Sequence, residues 1–179
     1  MRKWLVPVVA LAACSGPTEK SDWERQHETQ LPPPEVSVAL PAYPAEQRLI
    51  EFFVAATSEF RFFIDSASVS VGRDGVVRYT LVARNPAGAD NVSFEGMRCN
   101  TAEVLIYALG RDGGWVRRAG EWRSIEGSRV QRWHNALYRE YFCPQKEPIA
   151  SRQEGIASLR RGGHSMYEEN PRGGSGSGW

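Results

Sequence analysis

Between Phe62 and Arg118 the chain is cut by turn signals at near-regular intervals: Gly72-Arg73-Asp74-Gly75, Asn85-Pro86-Ala87-Gly88 and Asp112-Gly113-Gly114. Asp-Gly and Asn-x-x-Gly supply the positive φ angles and short polar side chains that tight hairpins need. The segments between them have the period of a strand. From Val76 to Arg84, Val77, Tyr79, Leu81 and Ala83 point one way, and Arg78, Thr80, Val82 and Arg84 the other. Phe62 to Val71 reads as the strand before it, Asn91 to Cys99 and Val104 to Leu109 as the third and fourth, and Trp115 to Arg118 as a fifth. Leu49 to Ala55, rich in aromatic and β-branched residues, reads as strand more than helix, and Pro44 to Arg48 as one helical turn. Strands in sequence joined by short turns describe an antiparallel meander.

After Gly127 the period changes. Ser128-Arg129-Val130-Gln131 has the spacing of a capping box, and Val130, Trp133, His134, Leu137, Tyr138 and Tyr141 follow at intervals of three and four. This predicts an amphipathic helix from about Arg129 to Phe142, ended by Pro144 and laid across one face of the sheet. Ser151 to Arg161 predicts a second helix, with Ile156 and Leu159 as its apolar contacts and Gly162-Gly163 as its stop. The expected fold is α+β: a four- or five-stranded antiparallel meander packed against a C-terminal amphipathic helix, with one disulfide.

The N-terminus reads as an export signal. Arg2 and Lys3 precede an apolar run from Trp4 to Leu11, broken at Pro7, and Leu11-Ala12-Ala13 precedes Cys14. The run is shorter than the roughly 20 residues that span a bilayer, and small residues before a cut suit secretory cleavage. Leu-Ala-Ala-Cys looks like the lipobox of bacterial lipoproteins, which implies a thioether-linked diacylglycerol on Cys14 and cleavage before it. The competing reading is an N-terminal core strand that contains a cysteine. The expected organisation is a signal peptide at 1–13, a Pro-rich tether at 14–44 with Leu31-Pro32-Pro33-Pro34 at its middle, a domain at 45–165, and a Gly/Ser tail at 166–179. Trp23 reads as packed on the domain or at the membrane interface.

The chain has three cysteines, Cys14, Cys99 and Cys143. An odd cysteine in an exported protein needs a role, and lipidation of Cys14 leaves one pair. In an oxidising compartment Cys99 and Cys143 are expected to bond. The alternative is two buried free thiols; zinc is disfavoured because no ligands sit at short spacing.

Few residues carry a chemical signal. Hydrophobic residues make up 41% and charged residues 24%, the balance of an ordinary globular domain. Removing Arg2 and Lys3 leaves 20 basic and 21 acidic side chains, near −1 overall, which argues against a nucleic-acid partner. His27, His134 and His164 fall in the tether, on the helix stripe and in the tail, with no ligand partner at metal spacing. His134 reads as a packed or surface-edge residue. There is no phosphate loop and no nucleophile motif with its base. Asp65, Asp74 and Glu95 are the best general-acid candidates, but each has a structural reading. Asp74 belongs to the turn, and Asp65 with Ser68 caps or bulges a strand end. Glu95 lies on the opposite face from Arg98 and is expected to meet an arginine from another strand. Trp115, Trp122 and Trp133 read as aromatic core. Arg152, Arg160 and Arg161 read as a solvated helix face or a basic patch for an acidic partner. Asn91-Val92-Ser93 fits a glycosylation sequon that is idle in a bacterial lipoprotein. No catalytic residues, metal or cofactor are expected.

Ile64-Asp65-Ser66-Ala67-Ser68-Val69, Val71-Gly72-Arg73-Asp74-Gly75-Val76-Val77-Arg78-Tyr79 and Asn91-Val92-Ser93-Phe94-Glu95-Gly96-Met97-Arg98-Cys99 closely resemble the cryptic neisserial protein 1-like family. Tyr107-Ala108 and Tyr141-Phe142-Cys143-Pro144 match as well, so that the resemblance covers roughly residues 45 to 165. It implies a Gram-negative envelope protein and carries no catalytic residues over. The Asp-x-x-Ser strand, the hairpin and the Glu-x-x-x-Cys strand are also similar, more faintly, to surface-adhesin protein E, which implies an antiparallel sheet with helices and hints at binding. The expected function is a non-enzymatic lipoprotein, anchored to the outer membrane on its periplasmic side, that binds or scaffolds an envelope protein or cell-wall partner. A surface-exposed adhesin is the second expectation and an envelope hydrolase the third.

Overall fold

The computed structural model describes residues 38–126 and 132–165, all of them within one compact unit, Pro33–Trp179; a separate unit, Met1–Pro32, lies outside the described residues. The readings of the signal peptide, Cys14, Trp23, His27, the tether up to residue 37, the capping box at Ser128 to Gln131 and the tail from residue 166 also lie outside them.

Eight strands form one antiparallel sheet: β1 (Leu49–Phe52), β2 (Arg61–Asp65), β3 (Ser70–Val71), β4 (Val76–Arg84), β5 (Asp90–Arg98), β6 (Glu103–Arg111), β7 (Gly114–Arg117) and β8 (Arg123–Ser124). The order is β1-β2-β4-β5-β6-β7, with β3 beside β4 and β8 beside β6. The count exceeds the expected four or five. The segment from Phe62 to Val71 is two strands, and β8 adds a short pairing at Glu103 and Val104. The break between β2 and β3 has a local cause. Ser68 Oγ donates to the Asp65 carbonyl at 2.7 Å and accepts from the Thr80 amide at 2.7 Å. The hydroxyl thus takes the place of a backbone acceptor, and the ladder resumes beyond it. The turns fall where glycine allows them: Gly75 has φ of 71° at the β3–β4 hairpin, and Asp112 and Gly113 have φ of 48° and 76° between β6 and β7.

Alternation orients β4 as expected. Val77, Tyr79, Leu81 and Ala83 join Phe62, Ile64, Met97 and the helices in the main core. The other face is covered too, since β4 is buried at eight of its nine positions. There Phe63, Val82 and Val92 form a smaller cluster with Tyr43, Leu49 and Trp115. The cover is residues 38–43, at the end of the segment read as tether. Trp115 Nε1 donates to the Pro41 carbonyl at 2.8 Å, Arg117 Nη2 to the Val38 carbonyl at 3.2 Å, and Arg48 Nη2 to the Tyr43 carbonyl at 2.9 Å.

The first helix differs from a continuous amphipathic α-helix. It is α-helical over α1 (Arg132–Ala136) and widens into a π-helix over Leu137–Phe142, where the Cys143 amide reaches back to the Tyr138 carbonyl. The wider turn lets two adjacent pairs, Leu137 with Tyr138 and Tyr141 with Phe142, all face the core. At its end Cys143 is bonded to Cys99, with α-carbons 5.3 Å apart. Helix α2 (Arg152–Arg161) starts at Ser151, whose hydroxyl accepts from the Glu154 amide, and stops at Gly162 in the left-handed region. Leu159 is buried, whereas Ile156 is only half-buried.

Candidate functional site

The buried chemistry gathers under α1. Glu95 stands opposite Tyr79 on β5, on the helix side of the sheet. Here the β5–β6 register slips: Phe94 pairs with Ala108 and Glu95 with Ile106, which leaves Tyr107 as the extra residue of a bulge. His134 Nε2 lies 2.8 Å from Glu95 Oε2, and Ser93 Oγ donates to Glu95 Oε1 at 2.6 Å. Glu95 is 1% exposed and His134 3%. Burial pushes the Glu95 carboxyl up, but His134, Ser93 and Tyr79 together outweigh it and hold the group below the usual glutamate range. Burial, and then the Glu95 charge, raise the Tyr79 hydroxyl well above its ordinary value. The expected arginine partner of Glu95 is therefore replaced by histidine, and His134 is a buried hydrogen-bonding partner.

Serine, carboxylate and histidine lie together without forming a nucleophile relay. In a relay the base contacts the hydroxyl and the acid orients the base. Here the Ser93 hydroxyl is bonded to the carboxylate, and Ser93, Glu95 and His134 are all buried. Its arrangement joins helix to sheet.

The other nominated carboxylates are elsewhere. Asp65 accepts from Arg48 Nε at 2.9 Å and from the Ala67 amide at 3.1 Å, at the end of β2. Asp74 receives both terminal nitrogens of Arg78 and the Val76 amide within the hairpin. Burial raises the Asp74 carboxyl, but Arg78 and the backbone bond win and hold it below the ordinary aspartate range. The structure does not bring the three carboxylates together. Among the described residues no group of His, Cys, Asp and Glu side chains is placed to hold a metal ion, and no helix is long and apolar enough to cross a membrane.

Sequence reasoning missed two features. His164, read as part of the tail, is buried and lies 2.7 Å from Glu154 Oε1; the Ser151-x-x-Glu154 cap spacing was the available signal for one partner only. The second feature is a hollow of about 350 Å³ on the sheet face away from α1. Val38, Ala39 and Pro41 form one wall, Ala67 to Ser70 the other, and Arg78 and Phe94 the floor. Phe94 packs against Tyr107 and Trp115, with ring centres 5.5 Å and 6.2 Å apart.

A family model described as the CNP1-like family matches residues 19–160. The chain belongs to that family. No curated protein and no solved structure matches it. The blocks that carried the resemblance now have positions in this CNP1-like domain. The first supplies Asp65 and the Ser68 ladder break, the second the Asp74–Arg78 hairpin, and the third Glu95 and Cys99. The first and third blocks tie separate parts of the fold together, and the second ties its own hairpin.

Proposed function

We propose that this chain is an exported lipoprotein, anchored through Cys14 to the periplasmic side of the outer membrane. Its CNP1-like domain is a non-enzymatic module that binds another envelope component at the second-face hollow. The observation that carries the binding reading is the contrast between closed and open chemistry. Asp65, Asp74 and Glu95 are each closed by a partner within the fold, Arg78 being the partner of Asp74, while Val38, Ala39 and Pro41 on one side and Ala67 to Ser70 on the other border a hollow of about 350 Å³. Export is supported by the cysteines: Cys99 and Cys143 are bonded to each other, which leaves Cys14 as the odd thiol for acylation.

The test has two arms. Labelled palmitate is expected on the wild-type chain and absent from Cys14→Ser, which accumulates as precursor; continued labelling of the variant removes the anchor. A photoreactive residue at Ser70, on the rim of the hollow, is expected to crosslink one envelope component in intact cells, and one at Arg73 on the hairpin turn is not. Equal crosslinking from both positions removes the hollow as the binding seat.

A further inference from the structure

Helix α2 has an outer face without a carboxylate. Arg152, Gln153, Ile156, Ala157, Arg160 and Arg161 recur at helical spacing and share one side. The arginines and Gln153 are exposed, while Ile156 and Ala157 are half-buried. With the two terminal arginines they line a shallow hollow of about 510 Å³. The opposite side of the helix carries Gly155, Ser158 and Leu159 into the interior. Glu154, the only acidic residue of the helix, is turned to the His164 ring and the Ala150 amide. Arg152 donates to the Ser66 carbonyl. No ion pair joins Arg152, Arg160 or Arg161 to a carboxylate among the described residues.

A helix face that serves only solubility mixes the two signs of charge. Two guanidinium groups bordering an apolar floor, with Arg152 on the same side of the helix, match a surface of phosphate groups above acyl chains. Guanidinium forks fit phosphate oxygens in pairs, and Ile156 and Ala157 meet the glycerol level below. We propose that the outer face of α2 docks the domain on an anionic phospholipid surface. The proposal gains from the lipid anchor proposed above and tests separately from it. About two dozen residues separate Cys14 from Val38, so the proposed anchor would keep the domain close to the membrane. An anchored domain would therefore meet the membrane at an effective concentration in the millimolar range, where a weak contact is occupied. Three arginines near an anionic surface raise binding about 100-fold over a neutral one.

The experiment uses the mature chain carrying Cys14→Ser, so that no acyl chain contributes. It is floated with vesicles of phosphatidylcholine alone, or of phosphatidylcholine with one third phosphatidylglycerol. The expected result is binding to the anionic vesicles only, released by about 0.5 M salt, where the Debye length shrinks to roughly 4 Å. R160E/R161E is expected to lower that binding at least about 10-fold with an unchanged melting temperature, and Arg160→Lys with Arg161→Lys to retain most of it. Equal binding to both vesicle types, binding to neither, or full binding by R160E/R161E overturns the proposal. Arginine-dependent capture of an acidic polypeptide without vesicle binding also overturns it, in favour of a protein partner. Failure here leaves palmitate labelling at Cys14 untouched, so the two ideas fail separately.

Discussion

Replacing His134 by leucine isolates the charge of Glu95. Both side chains of the pair are nearly inaccessible, at 4% and 2% exposure, so solvent screens little of their attraction. Once the imidazole is gone, the buried carboxylate retains the Ser93 hydroxyl alone as a hydrogen-bond donor. Removing one member of a buried pair costs about 3–5 kcal/mol, and the remaining Ser93 bond places the expected value near the lower end, about 3 kcal/mol. Against a total of roughly 5–15 kcal/mol for a domain, that is a large fraction. The loss has a predictable dependence on pH. In the wild type the folded-state pKa of Glu95 lies below its unfolded value. The stability it contributes is therefore present above about pH 4.3 and is lost as pH falls through the lower, folded value. In His134→Leu, burial dominates and the folded-state pKa rises above the unfolded one. The variant then loses stability as pH climbs from about 4.3 towards the raised value, and the gap from wild type widens. Glu95→Gln added to His134→Leu removes the charge while keeping a hydrogen-bonding side chain, and is expected to recover more than half of the loss. Urea unfolding followed by tryptophan fluorescence at pH 4.5 and pH 7.5 reads all three quantities. A loss below about 1 kcal/mol, an equal loss at both pH values, or no recovery in the double variant would refute the reasoning.

Cys99→Ser opens a loop with a sequence separation of 44 and is expected to cost about 4 kcal/mol by loop entropy; Cys143→Ser should match it, the double variant should be no worse, and a thiol assay on denatured, unreduced wild type should find neither cysteine free. Gly75→Val places a β-branched residue at φ of 71°, and a melting curve should show a loss of about 1 kcal/mol or more. Gly96→Ala puts a methyl group against the Tyr107 hydroxyl; the expected cost is about 1–3 kcal/mol from overpacking, and Tyr107→Phe in the same chain should return part of it.

The hairpins were legible because glycine, aspartate and asparagine act within four residues of themselves. The strand period from Val76 to Arg84 was legible for the same reason. What was not legible depends on contacts distant in sequence. The polar face of β4, with Arg78 and Thr80, reads as solvent-facing, yet it is covered by residues 38–43. That segment is held through its carbonyl oxygens, which every residue possesses, so it leaves no pattern of its own. The β2–β3 break depends on Ser68 meeting a Thr80 amide twelve residues away, and the Asp65-x-x-Ser68 spacing showed only its local half. Glu95 and His134 lie 39 residues apart. Nothing in either segment names the other, and the expectation of an arginine partner followed composition where the fold chose geometry. The π-helix was hidden by a three-and-four stripe that fits an α-helix equally well; the adjacent pairs Leu137-Tyr138 and Tyr141-Phe142 were its only trace.

The ties between helix and sheet explain why the helix must widen where it does. Glu95 and Cys99 are four residues apart on and just beyond β5, a distance of about 13 Å at the rise of a strand. Their partners His134 and Cys143 are nine residues apart, at the α-helical start and just beyond the π-helical end of the same helix. The helix is therefore tied to β5 and the residue just beyond it at two anchors, and the Tyr138 hydroxyl adds a bond to the Cys99 carbonyl at 3.2 Å. Holding both ends fixes the axial position but leaves rotation to be satisfied. The π turn supplies it, bringing Tyr141 and Phe142 inward together, Tyr141 against Phe52 and Phe142 against Tyr79. The carboxylate, the histidine and the two cysteines thus act as one device for register. Fixing register is the best-attested use of buried polar groups.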